Sequence, residues 1–166
     1  MMDRLWSGWR SVYVSQVSSG PKDSASFTFS PDESTGEYEY LVHAGTHVST
    51  IMNKYPYGMG HMLVIPHVPA ACLEDLSQPV RHELWDEVTD SVATAKAVYG
   101  CPGVNVGLNL GEFSGASVRA HLHVHVLPRW PSDTSFMATL AETVSLAEPL
   151  DVSARRLRAG WVSACK

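Results

Sequence analysis

No apolar run in this chain approaches the ~18 residues that a membrane-spanning helix needs, and its start, Met-Met-Asp-Arg-Leu-Trp, has no apolar signal core. The expected setting is the cytoplasm, with no membrane as partner. Basic runs are also missing, and the formal net charge is −5. Affinity for a nucleic acid polymer, which a basic stripe would have to supply, is therefore not expected. A small phosphorylated ligand is still allowed, because local donors can override global charge, provided that it has a positive pocket of its own.

Cysteine is scarce. Cys72, Cys101 and Cys165 are odd in number and form no CxxC or CxxH pair. A disulfide framework and a cysteine metal site are both disfavoured, a reducing compartment fits, and Cys72 and Cys101 read as buried or half-buried small residues. Neither internal repeats nor low-complexity segments occur. With 166 residues, 45% of them hydrophobic and 17% charged, a single globular domain spanning 1–166 is expected.

Along that domain four stretches differ in composition. Residues 1–17 carry Trp6, Trp9, Tyr13 and Val17 at spacings of three or four, and read as an aromatic arm packed on the core or on a second subunit. Residues 18–37 are rich in Ser, Pro, Gly and acids, and read as an extended loop. Residues 38–130 hold the motifs, and 131–166 form a C-terminal segment. Strands are expected at 38–43, 48–53, 61–66, 104–108 and 121–127, the last closed by Pro128. A helix should start after Ser77 and run to Tyr99 with Gly100 as terminator, burying Val80, Leu84, Val88, Val92, Ala95 and Val98 and leaving Arg81, Glu83, Asp86 and Glu87 to solvent. A second helix follows Pro149, with Arg155, Arg156 and Arg158 near its end, where cations suit the dipole. Short antiparallel strands with helices on one face make the fold class α+β: a five-stranded antiparallel sheet and two helices.

The most specific feature is His121, Leu122, His123, Val124, His125, Val126 and Leu127, with three histidines at every second position. On a strand all three imidazoles would leave one face, with origins about 6.5–7 Å apart, while Leu122, Val124 and Val126 face a core. Two rivals compete with a catalytic reading. Zinc sites usually take two strand histidines plus a ligand from elsewhere and want carboxylates around them, which are not near in sequence. A row of merely hydrogen-bonded histidines is the other rival. In the catalytic reading, a neutral imidazole attacks phosphorus and forms a phosphoramidate that a second acceptor cleaves. His123, with a histidine on each side, is then the nucleophile; one neighbour can orient it and the other can meet phosphate oxygens.

The segment Asn109 to Ser117 supports this chemistry. Gly111 and Gly115 let backbone N–H groups approach an anion, and Asn109 and Ser117 add neutral donors. Two further blocks, Asn53-Lys54-Tyr55-Pro56-Tyr57-Gly58-Met59-Gly60-His61 leading into Leu63 to Pro66, and Asn109 to Val118, complete the pattern.

In these blocks and in the His-φ-His-φ-His-φ-φ run, the chain resembles the histidine-triad (HIT) superfamily. The Arg4-Leu5-Trp6…Arg10 arm, the Asn105 to Gly111 run and the Leu127 to Trp130 exit look like the bacterial diadenosine tetraphosphate phosphorylases of that superfamily. The resemblance implies a HIT fold and a homodimer or higher homo-oligomer. It implies an enzyme, a nucleotide phosphorylase or hydrolase, with a small nucleotide substrate and with neither cofactor nor metal. His123 would attack the α-phosphate of an adenylylated substrate such as a diadenosine polyphosphate and form a nucleotidyl-histidine, with phosphate or water as acceptor. His121 would orient His123, His125 would contact phosphates, and His61 would support the triad. Asn53 would hold a ribose, Ile51 and Met52 would line the base pocket, and Asn109, Gly115, Ala116 and Ser117 would bind phosphate or leaving group. Ala116 stands where relatives carry glutamine or a second glycine, so that side-chain donor is absent. The alternatives are a HIT enzyme acting on a small AMP conjugate, an adenylyl sulfate or phosphoramidate, and a non-catalytic nucleotide-binding protein.

Overall fold

The computed structural model describes residues 40–111, 114, 120–131, 133 and 148–164. The aromatic arm, the 18–37 loop, Gly115, Ala116, Ser117 and Cys165 lie outside the described residues. Five strands are present: β1 (Leu41–Ala44), β2 (Val48–Met52), β3 (Met62–Pro66), β4 (Gly103–Leu108) and β5 (Val124–Arg129). They form one antiparallel sheet in the order β1-β2-β3-β5-β4. Helix α1 (Gln78–Tyr99) joins β3 to β4, and α2 (Leu150–Ala159) follows the sheet. Both helices pack on the same side of it, giving a two-layer α+β unit.

Local chemistry explains α1. Ser77 sits at its N-cap in an extended conformation, Pro79 occupies the second position, where no intrahelical N–H is needed, and Gly100 ends it at φ 61. Val80, Leu84, Val88 and Ala95 are buried against Met52, Met62, Val64, Val124 and Val126 from the sheet, and Ala154 and Leu157 from α2 close the same core. Such burial contributes about 1.5–3 kcal/mol for each large apolar side chain.

Two expectations need correction. Helix α1 does not leave all its charges in water. Glu87 is buried, accepts the Thr50 hydroxyl at 2.7 Å and pairs with Nδ1 of His43 at 2.9 Å. Burial pushes its carboxyl pKa up, while Thr50 and His43 oppose the shift. Glu83 accepts the backbone N–H of His47 at the β1–β2 hairpin. Both glutamates face the sheet because α1 lies across it, and a helical wheel does not contain that neighbour.

The second correction concerns the histidine strand. It begins at Val124 rather than at residue 121, and it runs through Pro128 to Arg129 instead of stopping at the proline. Pro128 opposes Val104 on β4, whereas pairing with β3 has already ended at Met62 opposite Val126. Past that point β5 pairs, among the described residues, with β4 alone, where a missing N–H is tolerated.

Gly60, just before β3, is a forced glycine. Its φ is +72, and a Cβ there would meet the Tyr99 ring at 2.6 Å and Pro128 at 3.2 Å. Gly60→Ala is expected to lose about 1–2 kcal/mol from the left-handed backbone alone, plus the displacement of Tyr99. An unchanged midpoint in urea unfolding would contradict that account.

Candidate active site

Directly opposed residues of an antiparallel pair share a face. Val124 and Val126 point to the helices, so His125, opposite Leu63 of β3 and Gly107 of β4, points to the other face. Leu63 in turn opposes Ile51, which opposes Leu41. One row, Leu41–Ile51–Leu63–His125–Gly107, thus crosses the whole sheet, with Ile51 two strands, about 10 Å, from His125. Leu41, Ile51 and Ile65 are buried in a cluster of their own on this side, with Leu63 packed against them. Met52 does not belong to it. It is 1% exposed in the core beneath α1, because adjacent strand residues face opposite ways, so it cannot line a pocket together with Ile51.

The three histidines are not equivalent. His121 is 1% exposed, and its Nε2 donates to the Pro66 carbonyl at 2.7 Å. It anchors the entry to β5 against the end of β3, an anchor that the Leu122 N–H reinforces by donating to the Ala70 carbonyl. Nδ1 of His123 donates to the backbone carbonyl of His121 at 3.1 Å, so the orienting group is that carbonyl and not the His121 ring. A neutral imidazole carries one N–H, which leaves the lone pair of His123 on Nε2. The His123 and His125 rings meet edge to face at 5.0 Å.

His61 joins them from the loop between β2 and β3. That loop is closed by the Asn53 N–H donating to the His61 carbonyl at 2.8 Å. The His61 ring is fully buried, and its Nδ1 faces two donors, the Tyr57 N–H at 3.0 Å and the Asn53 amide at 3.3 Å. Nδ1 therefore holds the lone pair and Nε2 the hydrogen. Nε2 then donates to Nδ1 of His125 at 3.0 Å, so the hydrogen of His125 sits on its Nε2. The result is a nucleophile-like nitrogen on His123 beside a donor nitrogen on His125.

Burial keeps these rings neutral. It is the largest cause that lowers His61 to about 3, with His125 and His123 adding to it. It likewise lowers His125 to about 4, helped by His123. His123 is lowered by burial and by His121, against the opposing hydrogen bond to the His121 carbonyl.

A cleft of about 320 Å³ opens beside His125 and His61, walled by Tyr57, Leu127 and the β4 run Asn105 to Asn109. Of the expected site residues, His61, His125 and Asn109 border it; Gly115, Ala116 and Ser117 lie outside the described residues. Asn53 adjoins His61 instead, with both ends of its amide engaged, since Oδ1 accepts the Tyr55 N–H at 2.9 Å. The expected positive pocket is not found in this lining, which holds no Lys or Arg among the described residues. Nor do these residues group three His, Cys, Asp or Glu side chains as a metal site would.

Tyr57, Asn105 and Gly107 were not singled out from the sequence. The Tyr57 ring lies 5.8 Å from that of His125, at 23°. Asn105 Oδ1 accepts from Arg129, whose guanidinium also grips Asp133 at 2.6 Å. The signals existed, in the Pro56-Tyr57-Gly58 turn and in the alternation of Asn105, Gly107 and Asn109, but only the register of β4 on β5 turns that alternation toward His125.

The chain is similar to several known proteins. The model of the HIT domain matches residues 37–132. The AP-4-A phosphorylase of Mycobacterium tuberculosis is 36% identical over 96% of this chain and 85% of its own length. The Schizosaccharomyces pombe bis(5'-nucleosyl)-tetraphosphatase [asymmetrical] is 31% identical over 52% of this chain and 47% of its own. Among solved structures, a hypothetical histidine triad nucleotide-binding protein from Sulfolobus tokodaii superposes with a TM-score of 0.60, at 26% identity, over 73% of this chain and 82% of that one. With the family model matching over half its length, and a relative of such identity along nearly all of it, this chain belongs to the HIT domain family.

Proposed function

We propose that this protein cleaves an adenylylated nucleotide of the diadenosine polyphosphate kind at its α-phosphate, in two displacements on His123. The observation that carries the reading is the Nδ1–H bond from His123 to the His121 carbonyl, which leaves a lone pair on Nε2. Nε2 attacks the α-phosphorus, the N–P bond forms, and the bond to the leaving polyphosphate breaks with its electron pair on oxygen. The imidazole becomes cationic as it is nucleotidylated, and the His121 carbonyl holding its Nδ1 proton stabilises that charge. Nε2–H of His125 donates to an oxygen of the same phosphate. An oxygen of phosphate or water then attacks phosphorus, and the N–P electron pair returns to His123.

The Leu41–Ile51–Leu63 row beside His125 supports seating a flat base on this face, with Ile51 and without Met52. Asn109 at the cleft, and Gly115, Ala116 and Ser117 just beyond it in sequence, are assigned to phosphate or leaving group. The names of the Mycobacterium and Schizosaccharomyces relatives support the substrate class. Cys72 and Cys101 are free thiols, which suits a cytoplasmic location. β4 is an edge strand, and Val106 on it is 43% exposed, which supports pairing of two copies along that edge.

The test is incubation with diadenosine tetraphosphate and labelled inorganic phosphate. Label in ADP identifies phosphorolysis, AMP without label identifies hydrolysis, and turnover of an adenylyl sulfate or phosphoramidate in place of either would overturn the substrate class. His123→Asn should lower turnover by at least about a thousandfold and abolish the covalent adduct while nucleotide still binds. Unchanged turnover would remove His123 from its role.

The pH dependence has a definite sign. His123 must be neutral to attack, and its pKa lies below the ordinary 6.5. The acid limb of kcat/KM should accordingly fall below pH 6.5; a limb centred above that value contradicts the burial argument. Stability follows the same direction. The folded pKa of His61, about 3, lies below its unfolded value of 6.5, so its contribution is complete above pH 6.5 and declines as pH falls toward 3. At pH 5 this amounts to about 2 kcal/mol, readable as a drop in Tm that His61→Asn should reduce.

Sedimentation at micromolar concentration should show a dimer or larger assembly, which Val106→Asp on β4 weakens. A wild-type monomer would dismiss the pairing.

A further inference from the structure

We infer that the cleft on the β4 side of His125 is a second nucleotide subsite, holding the leaving half of the substrate through a base stacked on Tyr57 and a phosphate bonded to Asn105. The inference deepens the proposed reaction and rests on the reading that the first base sits on the Leu41–Ile51–Leu63 row. That row runs from His125 toward β1. On its other side His125 opposes Gly107 of β4, and there the sheet surface continues into the cleft. With the attacked phosphorus at His125 and the first base over β2 and β3, whatever is attached beyond that phosphorus extends over β4.

The lobe over β4 has a floor, a donor and a wall. Gly107 is the floor. A Cβ there would meet nothing within 4 Å, so the space over it, beside His125, is open. Asn105 shares the face of Gly107, about 6.5–7 Å further along β4. Its amide has a fixed orientation. Nη1 of Arg129 can only donate, so the amide atom facing it at 2.9 Å is Oδ1. Arg129 is itself gripped by both carboxylate oxygens of Asp133, at 2.6 Å each. Among the described residues nothing accepts from Nδ2 of Asn105, which remains to donate to a phosphate oxygen in the cleft that this residue lines.

Tyr57 forms the wall. Its ring lies 4.7 Å from that of His61 and 5.8 Å from that of His125, and the residue is still 56% exposed. The turn that carries it is fastened from below. The Tyr57 N–H donates to His61, and a Cβ on Gly58 would meet Leu127 of β5 at 3.4 Å. A large ring held by its backbone, at the rim of a cleft and half open to water, is a stacking platform. Every nucleobase has a π face to lay on it, and covering the ring removes apolar area from solvent. A sulfate or a bare phosphate as leaving group could use Asn105 but would leave Tyr57 uncovered. The lobe therefore fits a leaving group that carries both a phosphate chain and a base, a nucleoside polyphosphate.

The test measures binding by titration calorimetry in the full chain carrying His123→Asn, so that no turnover consumes the ligand. Two ligands are compared: diadenosine tetraphosphate, and adenosine tetraphosphoribose, the same chain with only the second base removed. The parent should bind the dinucleotide roughly tenfold more tightly, the size of one base–aromatic stack. Tyr57→Ala keeps the backbone N–H on His61 and should erase that difference by weakening the dinucleotide alone. The bulkier Tyr57→Leu, without a π face, should do the same, whereas Tyr57→Phe should preserve the difference. Asn105→Ala should weaken both ligands alike, by about fivefold, because both carry the phosphate chain. Equal affinity of the parent for the two ligands, or equal weakening of both by Tyr57→Ala and Tyr57→Leu, would overturn the subsite and leave the reaction on His123 standing. Unchanged binding in Asn105→Ala would remove that residue from it. A parent that binds neither ligand, together with a wild type that turns over no dinucleotide, would refute the proposed reaction and the subsite with it.

Discussion

The pairing of β3 with β5 is the constraint on which the site depends. These strands are not consecutive; α1 and β4 intervene, and their alignment sets Leu63 opposite His125. That single register decides three things. It turns Val124 and Val126 into the core under α1 and leaves His125 on the opposite face. It brings the end of the 53–61 loop beside β5, so that His61 can donate to His125. It also sets Pro66 against His121, whose ring closes the entry to the strand. A slip by one residue would exchange the faces and replace His125 with a valine.

Burial and hydrogen bonding act in opposite senses on the imidazoles, and the site uses both. Desolvation removes positive charge from His61, His123 and His125. Hydrogen bonds then decide which nitrogen of each neutral ring keeps its proton. Carbonyl acceptors take the N–H of His121 and His123, whereas His61 is approached by donors and passes its own N–H to His125. The outcome is a lone pair on His123 and an N–H on His125, two residues further along one short segment.

A second polar network lies on the helix side. Glu87 ties Thr50 of β2 and His43 of β1 to α1, and Trp161 stacks on His43 at 4.4 Å. The backbone after α2 is fastened to α1 as well, with the Val162 N–H donating to Thr94 and the Ala164 N–H to Asp90. These bonds hold β1, β2 and the C-terminal turn on α1, on the side of the sheet away from His125. The helix face that its charges mark as wet is in part a buried joint.

What the sequence determined by itself is everything carried by local pattern. The α+β class, five short strands, Ser77 and Gly100 as the ends of α1, the apolar reverse face of Leu122, Val124 and Val126, and the HIT family all follow from spacing, caps and motif blocks within a few residues of one another. Tertiary structure alone decided what each imidazole bonds to. A spacing of two makes His121, His123 and His125 look alike, yet β5 starts only at Val124, His121 is consumed by the Pro66 carbonyl, and His61 reaches His125 through a strand pairing that spans 64 residues. The same holds for Met52 and Ile51, which share a neighbourhood in sequence but face opposite sides of the sheet, and for Glu87, exposed on a helical wheel and buried once β1 and β2 lie beneath it. Periodicity reports which residues share a face; only the partner that covers the face determines whether a side chain meets water, a core or a phosphate.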